Sequence, residues 1–155
     1  MIKALETRFD GKWYVFLRLH PQLAAQMDKM PVDESNDRLI DVSKRPDMNE
    51  IMAATDAMIT DYSSCIFEGF LTGQFSFIYA DDVEEYIKDR GVLAFSFDEI
   101  PFPVAKNNDE LISNILTFEE EEYKLKSEKF IKNFGIIENG HASEKVVDIL
   151  EYKKV

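Results

Sequence analysis

Segments typical of β-strands alternate with segments of helical periodicity along this chain, and that order constrains the fold more than any other feature. Apolar segments rich in β-branched and aromatic residues predict four strands, over residues 13–19, 39–42, 57–60 and 74–79. The segments between and after them predict helices over residues 21–30, 47–55, 63–71 and 82–89. This alternation predicts an α/β fold, in which helices flank a Rossmann-like parallel sheet.

The two ends of the chain differ from this regular pattern. Residues 95–108 predict an irregular loop, and helices are predicted over residues 109–116, 119–134 and 142–152. Residues 1–9 look like the end of a helix, and neither an opening strand nor a Gly-x-Gly-x-x-Gly motif is present. We therefore expect a single, N-terminally truncated domain over residues 1–155, with the helices of residues 109–155 packing on it.

Charge and composition exclude several classes of protein. The net charge of −12 argues against non-specific binding to nucleic acid, which needs a basic face. Cys65 is the single cysteine, so no intrachain disulfide can form, and a cytoplasmic location fits this. No segment approaches the roughly 20 apolar residues that cross a bilayer. The two histidines lie far apart in sequence, and we predict no metal site.

The turn Thr60-Asp61-Tyr62-Ser63-Ser64 joins a predicted buried strand to a predicted helix. The free N–H groups and the positive end of the dipole at a helix start suit an anion such as a phosphate. Ser63 and Ser64 can cap the helix, bind the anion, or do both. Asp61 is expected to orient the turn by accepting backbone N–H bonds, and the alternative is contact with a ligand hydroxyl.

Further candidates follow other predicted elements, because ligands bind at the carboxyl ends of parallel strands. His20 follows the first strand, which contains Arg18, and its imidazole can donate to a phosphate oxygen or to a leaving group. Arg90 precedes Gly91 at a helix end, where its planar guanidinium suits a phosphate. The alternatives are a loop histidine without a task and a solvated arginine followed by a C-cap glycine.

Four blocks of sequence resemble, in order, the C-terminal half of the CDP-glycerol glycerophosphotransferase family, the polymerases and primases of teichoic acid. The pattern Arg-x-His-Pro stands at residues 18–21, and Thr-Asp-Tyr-Ser-Ser stands at residues 60–64. Tyr-x-x-x-Arg-Gly stands at residues 86–91, and Gly-x-Ala-Ser stands at residues 140–143. The resemblance covers nearly the whole chain.

The resemblance implies the donor-binding second domain of a GT-B fold, with CDP-glycerol as the donor substrate and no further cofactor or metal. The implied reaction moves glycerol phosphate to a teichoic-acid-type acceptor and releases CMP. Carried over by position, His20 is the catalytic candidate and grips the donor pyrophosphate together with Ser63, Ser64 and Arg90. The same carry-over gives supporting or substrate-binding places to four more residues: Arg18, Asp61, Gly91 and Ser143.

The resemblance also implies that an essential part of the enzyme lies outside this chain. The first GT-B domain, or a separate chain supplying it, would carry a second histidine as the base, so the isolated chain is expected to be inactive. A membrane contact at the inner face would be indirect, through the full-length form. Two other functions stay open: the donor domain of a sugar-nucleotide glycosyltransferase, and a non-catalytic binding or assembly module that self-associates.

Overall fold

The structure is a computed structural model that describes residues 1–26, 37–93 and 95–152. Helices and strands alternate from the first helix to the fifth strand, and three helices follow. In chain order the elements are α1 (Ile2–Phe9), β1 (Val15–Leu17), α2 (Pro21–Ala24), β2 (Leu39–Asp41), α3 (Met48–Ala53), β3 (Ala57–Thr60), α4 (Cys65–Leu71), β4 (Phe75–Tyr79), α5 (Val83–Arg90), β5 (Val104–Ala105), α6 (Asn108–Leu116), α7 (Glu120–Phe134) and α8 (Ala142–Tyr152).

All strand pairs are parallel, as the alternation predicted, and they form two ladders within the described residues. In the first ladder β1 pairs with β2, and Phe16 lies opposite Ile40. In the second ladder the order is β3-β4-β5, with Ile59 opposite Phe77 and Ile78 opposite Val104. The described strands therefore form two separate parallel sheets, one of two strands and one of three.

Several predicted boundaries shift. The predicted loop over residues 95–108 contains β5, which has only two residues, too few for a period-2 pattern to show. Helix α4 begins at Cys65 instead of residue 63, and β1 is shorter than residues 13–19. The predicted helix over residues 21–30 is present as α2, and residues 27–30 of that prediction lie outside the described residues.

The chain forms two compact groups of residues. The first group contains Met1–Val92 and Pro103–Phe118, and the second contains Leu93–Phe102 and Glu119–Val155. The expectation that residues 1–155 form one domain with the last helices packed on it stays a prediction.

Aromatic rings fill the core of the first group where α1 meets the second ladder. The Phe9 ring stacks on Phe75 with centroids 5.4 Å apart, and Phe118 contacts Phe9, Phe75 and Phe77 at 5.0–5.6 Å. Arg8 Nε also donates to the Phe118 carbonyl at 2.6 Å. Because Arg8 and Phe118 are 110 residues apart, this bond connects the start of the first group to its end.

A buried glutamine connects β4 to the segment before β3. The Gln74 amide Nε2 donates to the Met52 carbonyl and, at 2.8 Å, to both the carbonyl and the hydroxyl of Thr55. Gln74 is 6% exposed. Backbone carbonyls that are removed from water need such partners, so this side chain holds the end of α3 and the segment before β3 against the start of β4.

In the second group, α7 packs through a ring cluster of its own. Phe130 is buried and lies 5.7 Å from Phe95 and 4.7 Å from Phe134, measured between ring centroids. Helix α7 ends at Gly135, which adopts the left-handed conformation that favours glycine. Helix α8 has no buried residue.

Candidate functional site

The turn after β3 is held by its own aspartate. Asp61 Oδ1 accepts the Ser63 N–H at 3.1 Å, and the Thr60 hydroxyl lies 3.4 Å from the same oxygen. Ser64 is the N-cap residue of α4, and its hydroxyl makes no capping bond. Asp61, Ser63 and Ser64 are all exposed. Asp61 therefore orients the turn as expected, and the Ser64 hydroxyl is not used to cap α4.

Tyr62, at the centre of this turn, joins it to α5. Its ring stacks on Tyr86 with centroids 4.0 Å apart, and its hydroxyl donates to Asp82 Oδ1 at 2.7 Å. Asp82 is the N-cap residue of α5, and its side chain binds Tyr62 instead of capping the helix. The turn and α5 are thus joined by a ring stack and a charge-assisted hydrogen bond.

This arrangement sets the position of Arg90. Tyr86 and Arg90 are four residues apart in α5, so they occupy the same face of the helix. That face is the one that meets Tyr62. Arg90 is the last residue of α5 and is exposed, and Gly91 follows it with a φ of +93° and its N–H bonded to the Ile87 carbonyl. The structure therefore places Arg90 on the α5 face that Tyr86 shares.

Carboxylates surround the Tyr62 hydroxyl. Burial raises the pKa of Tyr62 well above its usual value, and the hydrogen bond to Asp82 raises this pKa further. The negative charges of Asp82, Asp81 and Asp61 act in the same direction. The turn therefore carries negative rather than positive charge.

The second set of candidates lies after β1. Arg18 Nη1 donates to the Arg45 carbonyl at 2.6 Å and reaches the Val42 carbonyl at 3.5 Å. The Leu19 N–H donates to the Ser43 hydroxyl at 3.0 Å. These contacts fasten the end of β1 to the loop after β2. They give Arg18 a structural task that its sequence position did not reveal.

His20 comes next in the chain and is exposed. Its carbonyl accepts the N–H groups of Leu23 and Ala24 at 2.8 and 2.9 Å, which starts α2. Because Leu17 and Thr60 end strands of different ladders, the meeting of His20 with the Ser63–Ser64 turn at one edge stays a prediction.

Ser143 belongs to the second group of residues, in the first turn of α8. It is exposed, and the segment before it is ordered by local bonds. The His141 N–H donates to Asn139 Oδ1 at 3.2 Å, and His141 Nδ1 lies 3.0 Å from Glu144 Oε2. The predicted contribution of Ser143 to donor binding stays a prediction.

Three residues that matter for the site were not among the predicted site residues. They are Tyr62, Asp82 and Tyr86, which together join the turn to α5. Tyr62 and Tyr86 lie within two of the sequence blocks that resemble the family, at residues 60–64 and 86–91. An aromatic residue in each of these blocks could have indicated that the two blocks contact each other. Asp82 gave no such signal, because its role depends on where the turn places the Tyr62 hydroxyl.

Neither a metal-binding cluster nor a membrane-spanning helix occurs in the part of the chain that the structure describes. Across residues 1–26, 37–93 and 95–152, no group of three His, Cys, Asp or Glu side chains has an arrangement that could hold a metal ion. None of the helices in these ranges has both the length and the apolar character that crossing a membrane requires.

Comparison with known families identifies the chain. Residues 2–152 match the model of the CDP-glycerol:poly(glycerophosphate) glycerophosphotransferase family. The chain belongs to this family. The family expected from the four sequence blocks is therefore confirmed.

Curated relatives of this glycerophosphotransferase-family chain are considerably longer. It is 37% identical over 137 residues to the teichoic acid poly(ribitol-phosphate) polymerase of Bacillus spizizenii, an alignment covering 87% of this chain and 21% of that protein. It is 29% identical over 148 residues to the teichoic acid glycerol-phosphate transferase of Staphylococcus aureus, covering 94% and 37%. The chain thus spans between a fifth and two fifths of these relatives.

A solved structure of a wall teichoic acid polymerase, TagF, has a similar fold. The TM-score is 0.72 at 24% identity, and the alignment covers 99% of this chain and 37% of the polymerase chain. This similarity, together with the parallel ladders and their flanking helices, confirms the predicted α/β fold of the GT-B type.

Proposed function

We propose that this glycerophosphotransferase-family chain forms the donor-binding part of an enzyme that transfers glycerol phosphate from CDP-glycerol to a teichoic-acid-type acceptor. Family membership over residues 2–152 supports the reaction class. The observation that carries the assignment of the site is the stack of Tyr62 on Tyr86. Through it, the serine-containing turn is joined to the helix face from which Arg90 projects.

In the proposed complex, the donor pyrophosphate lies beside the turn. The hydroxyls of Ser63 and Ser64 donate to its oxygens, and the Arg90 guanidinium provides the charge that the surrounding carboxylates lack. Asp61 keeps its role of orienting the turn, since its carboxylate accepts the Ser63 N–H. Donor affinity therefore depends more on Arg90 than on any single hydroxyl.

The chemical step is a phosphoryl transfer. A hydroxyl of the acceptor attacks the phosphorus that carries glycerol, the bond from that phosphorus to the bridging oxygen breaks, and CMP leaves with the electron pair. Negative charge grows on the leaving CMP phosphate, and fixed donors and cations that stabilise it lower the barrier. His20 donates to a phosphate oxygen of this leaving group, and Arg18 holds the loop beside it.

The rest of the enzyme is required for turnover. Because the chain spans only part of its relatives, we place the acceptor site and the general base in the remaining part, on the same polypeptide or on a separate one. The isolated chain binds the donor without turning it over. Donor binding occurs in the cytoplasm, and contact with the membrane face is made by that remaining part.

Calorimetric titration with CDP-glycerol tests the site. Replacing Arg90 with alanine should weaken binding by about tenfold or more, because a hydrogen-bonded charge is lost. Lys88→Ala is the matched control: it removes a cation from the same last turn of α5, two residues from the Tyr86–Arg90 face. Ser63→Ala should also weaken binding, whereas Ser113→Ala in α6 should not. Equal affinities for the Arg90 and Lys88 variants would refute the assignment.

A panel of donors tests the substrate. CDP-glycerol, CDP-ribitol and a UDP-sugar can be compared by the thermal shift that each produces at the same concentration, since a ligand that binds the folded state more tightly raises the melting temperature further. Stronger stabilisation by CDP-glycerol supports the proposal, whereas stronger stabilisation by CDP-ribitol would keep the reaction class and change the polyol to ribitol. Stabilisation by the UDP-sugar alone would favour a sugar-nucleotide glycosyltransferase.

A further inference from the structure

The segment between α7 and α8 contains the one asparagine of the sequence that is followed by glycine, Asn139-Gly140. Both residues are exposed and lie outside the two helices. An asparagine loses its side-chain amide when the backbone nitrogen of the next residue attacks the side-chain carbonyl carbon. Glycine in the second position favours this attack, because it has no Cβ to hinder a close approach. Asn139 therefore has a reactivity that the proposed function does not use.

The attacking atom in this reaction is the backbone nitrogen of Gly140, and a carboxylate already accepts its proton in a hydrogen bond. The Gly140 N–H donates to Glu138 Oε1 at 2.6 Å. The nitrogen becomes a nucleophile only as this proton is removed, so an acceptor at hydrogen-bond distance is placed to act as a general base. Glu138 is exposed and can pass the proton on to water or to a leaving group.

The attacked carbonyl group belongs to the side chain of Asn139, and its oxygen is also hydrogen-bonded. Asn139 Oδ1 accepts the His141 N–H at 3.2 Å. Negative charge develops on this oxygen when the Gly140 nitrogen adds to the neighbouring carbon, and a backbone N–H that is already in place stabilises such charge. The same bond keeps the Asn139 side chain turned toward the backbone that follows it.

The surroundings of Gly140 leave room for the reaction. A Cβ at this position would meet no atom within 4 Å, so water can reach the segment. Gly140 has a φ of +78°, in the left-handed region that favours glycine. The backbone here can therefore bend as a ring forms, without a side chain in the way.

Asparagines within helices lack this arrangement. Asn114 lies in α6, and its amide Nδ2 donates to the Val104 carbonyl at 3.0 Å. Asn133 lies in α7 and is followed by Phe134. In a helix the N–H of the following residue bonds to a backbone carbonyl, which cannot take up the proton as a carboxylate can. The two helical asparagines are therefore suitable references for Asn139.

We propose that Asn139 is a site of self-modification, at which the folded chain converts this asparagine into aspartate and isoaspartate. The Gly140 nitrogen forms a bond to Asn139 Cγ, and its proton passes to Glu138. The bond from Cγ to Nδ2 then breaks, and the nitrogen keeps the electron pair, takes up the proton from Glu138 and leaves as ammonia. Water opens the resulting cyclic imide, at Cγ to give aspartate or at the backbone carbonyl carbon to give isoaspartate. No oxidant or reductant is needed.

The two products have different consequences for the start of α8. Both add a negative charge beside residues 140–143, near a helix N-terminus that favours such a charge. Aspartate keeps the side-chain oxygen that accepts the His141 N–H. Isoaspartate lengthens the main chain by one carbon, so this hydrogen bond is lost and the first turn of α8 should loosen. The proposal holds whether or not Ser143 contributes to donor binding.

Peptide mapping by mass spectrometry tests the proposal. The purified full chain is held at mildly alkaline pH, sampled over time and digested with trypsin, and fragmentation locates each conversion of amide to acid. The tryptic peptide of residues 133–145 contains both Asn133 and Asn139, so each spectrum includes its own reference. Asn139 should convert to both products while Asn133 and Asn114 stay intact. Conversion of Asn139 no faster than that of Asn133 overturns the proposal.

A pair of glutamate variants tests the role of Glu138. Glu138→Gln keeps an oxygen that can accept the Gly140 N–H but removes the base, so conversion should slow by about tenfold or more. Glu144→Gln is the matched control, because Glu144 contacts the His141 ring and not the Gly140 N–H. It should leave the rate nearly unchanged.

The same Glu138→Gln change in a synthetic peptide of residues 133–145 should have little effect, since the turn is not held there. Equal rates for the two full-chain variants, or an equal effect of Glu138→Gln in the peptide and in the folded chain, would overturn the assignment of Glu138 as the base.

Discussion

The hydroxyl of Tyr62 donates to the carboxylate of Asp82 at 2.7 Å, and this bond is the polar half of the connection between the serine-containing turn and α5. The pKa of Tyr62 is raised in the folded protein by burial and then by this bond. A pKa that is higher in the folded state means that the phenol contributes its full stability below its unfolded pKa of about 10. That contribution is lost as the pH rises above this value.

Tyr62→Phe should therefore lower the free energy of unfolding at neutral pH by about 1–2 kcal/mol, since it removes a hydrogen bond to a charged group and keeps the ring stack. Above about pH 10 the difference between the two proteins should shrink, because the wild-type phenol begins to ionise in the unfolded state. Urea unfolding measured from neutral to alkaline pH checks both effects. If the difference in free energy of unfolding between the two proteins did not change with pH, the pKa of Tyr62 would not be raised by folding.

Gly91→Ala should destabilise the protein by about 1–3 kcal/mol, because a φ of +93° with a ψ of −172° lies in a region that is essentially restricted to glycine. A Cβ at this position would meet no atom within 4 Å, so the cost comes from the backbone alone. Since Gly91 follows Arg90, the variant should also weaken CDP-glycerol binding. Thermal denaturation and calorimetry measure the two effects.

Gly73→Ala provides the matched control for this prediction. Gly73 has a φ of +88° and equally open surroundings, and it lies beyond the end of α4. It should lower stability while leaving donor affinity unchanged. Equal losses of affinity in both variants would show that Gly91 acts only through global stability.

Arg18→Ala should lower the free energy of unfolding by about 1–2 kcal/mol, because two backbone carbonyls of the loop after β2 lose a charged donor. Arg18→Lys should recover only part of the loss, since one ammonium group cannot reproduce the planar guanidinium. Arg45→Ala removes a nearby exposed cation without removing the carbonyl acceptor, and it should be nearly neutral. Urea unfolding of the three variants decides whether Arg18 supports this loop.

Gln74→Leu should cost about 2–3 kcal/mol, because the Thr55 carbonyl loses its side-chain donor and the Met52 carbonyl loses one of two, while the volume is nearly kept. The loss of these hydrogen bonds should also make the backbone amides at the start of β3 exchange faster with solvent in the folded state. Gln26→Leu, at an exposed position, should change neither quantity. A Gln74 variant as stable as the wild type would show that these bonds are replaced without cost.

Local features were predictable where a few neighbouring residues determine them. The Asp47 side chain accepts the Asn49 N–H at 2.8 Å, as expected of an N-cap, and Asp61 orients its turn by accepting the Ser63 N–H. In each case the donor and the acceptor are two residues apart. Aspartate side chains readily accept a bond from the backbone N–H two residues further along. The residue type and its position are therefore enough to predict such a bond.

Long-range features were not predictable in the same way. Strand β5 is two residues long and depends on pairing with Ile78 and Tyr79, so no periodicity of its own indicates it. The connection of Tyr62 to Asp82 joins residues 20 positions apart. The separation of the described strands into two sheets depends on which strands pair in space, and a single sequence gives no direct signal of that.

The bond from Arg8 to the Phe118 carbonyl has a practical consequence for anyone shortening this protein. A version trimmed to begin after the first helix would give up this bond and the Phe9 ring, and a version trimmed before residue 118 would give up the other half of both contacts. Either cut should loosen the aromatic core of the first group, because Phe9 and Phe118 contact each other there. Expression trials should therefore keep both the first helix and Phe118.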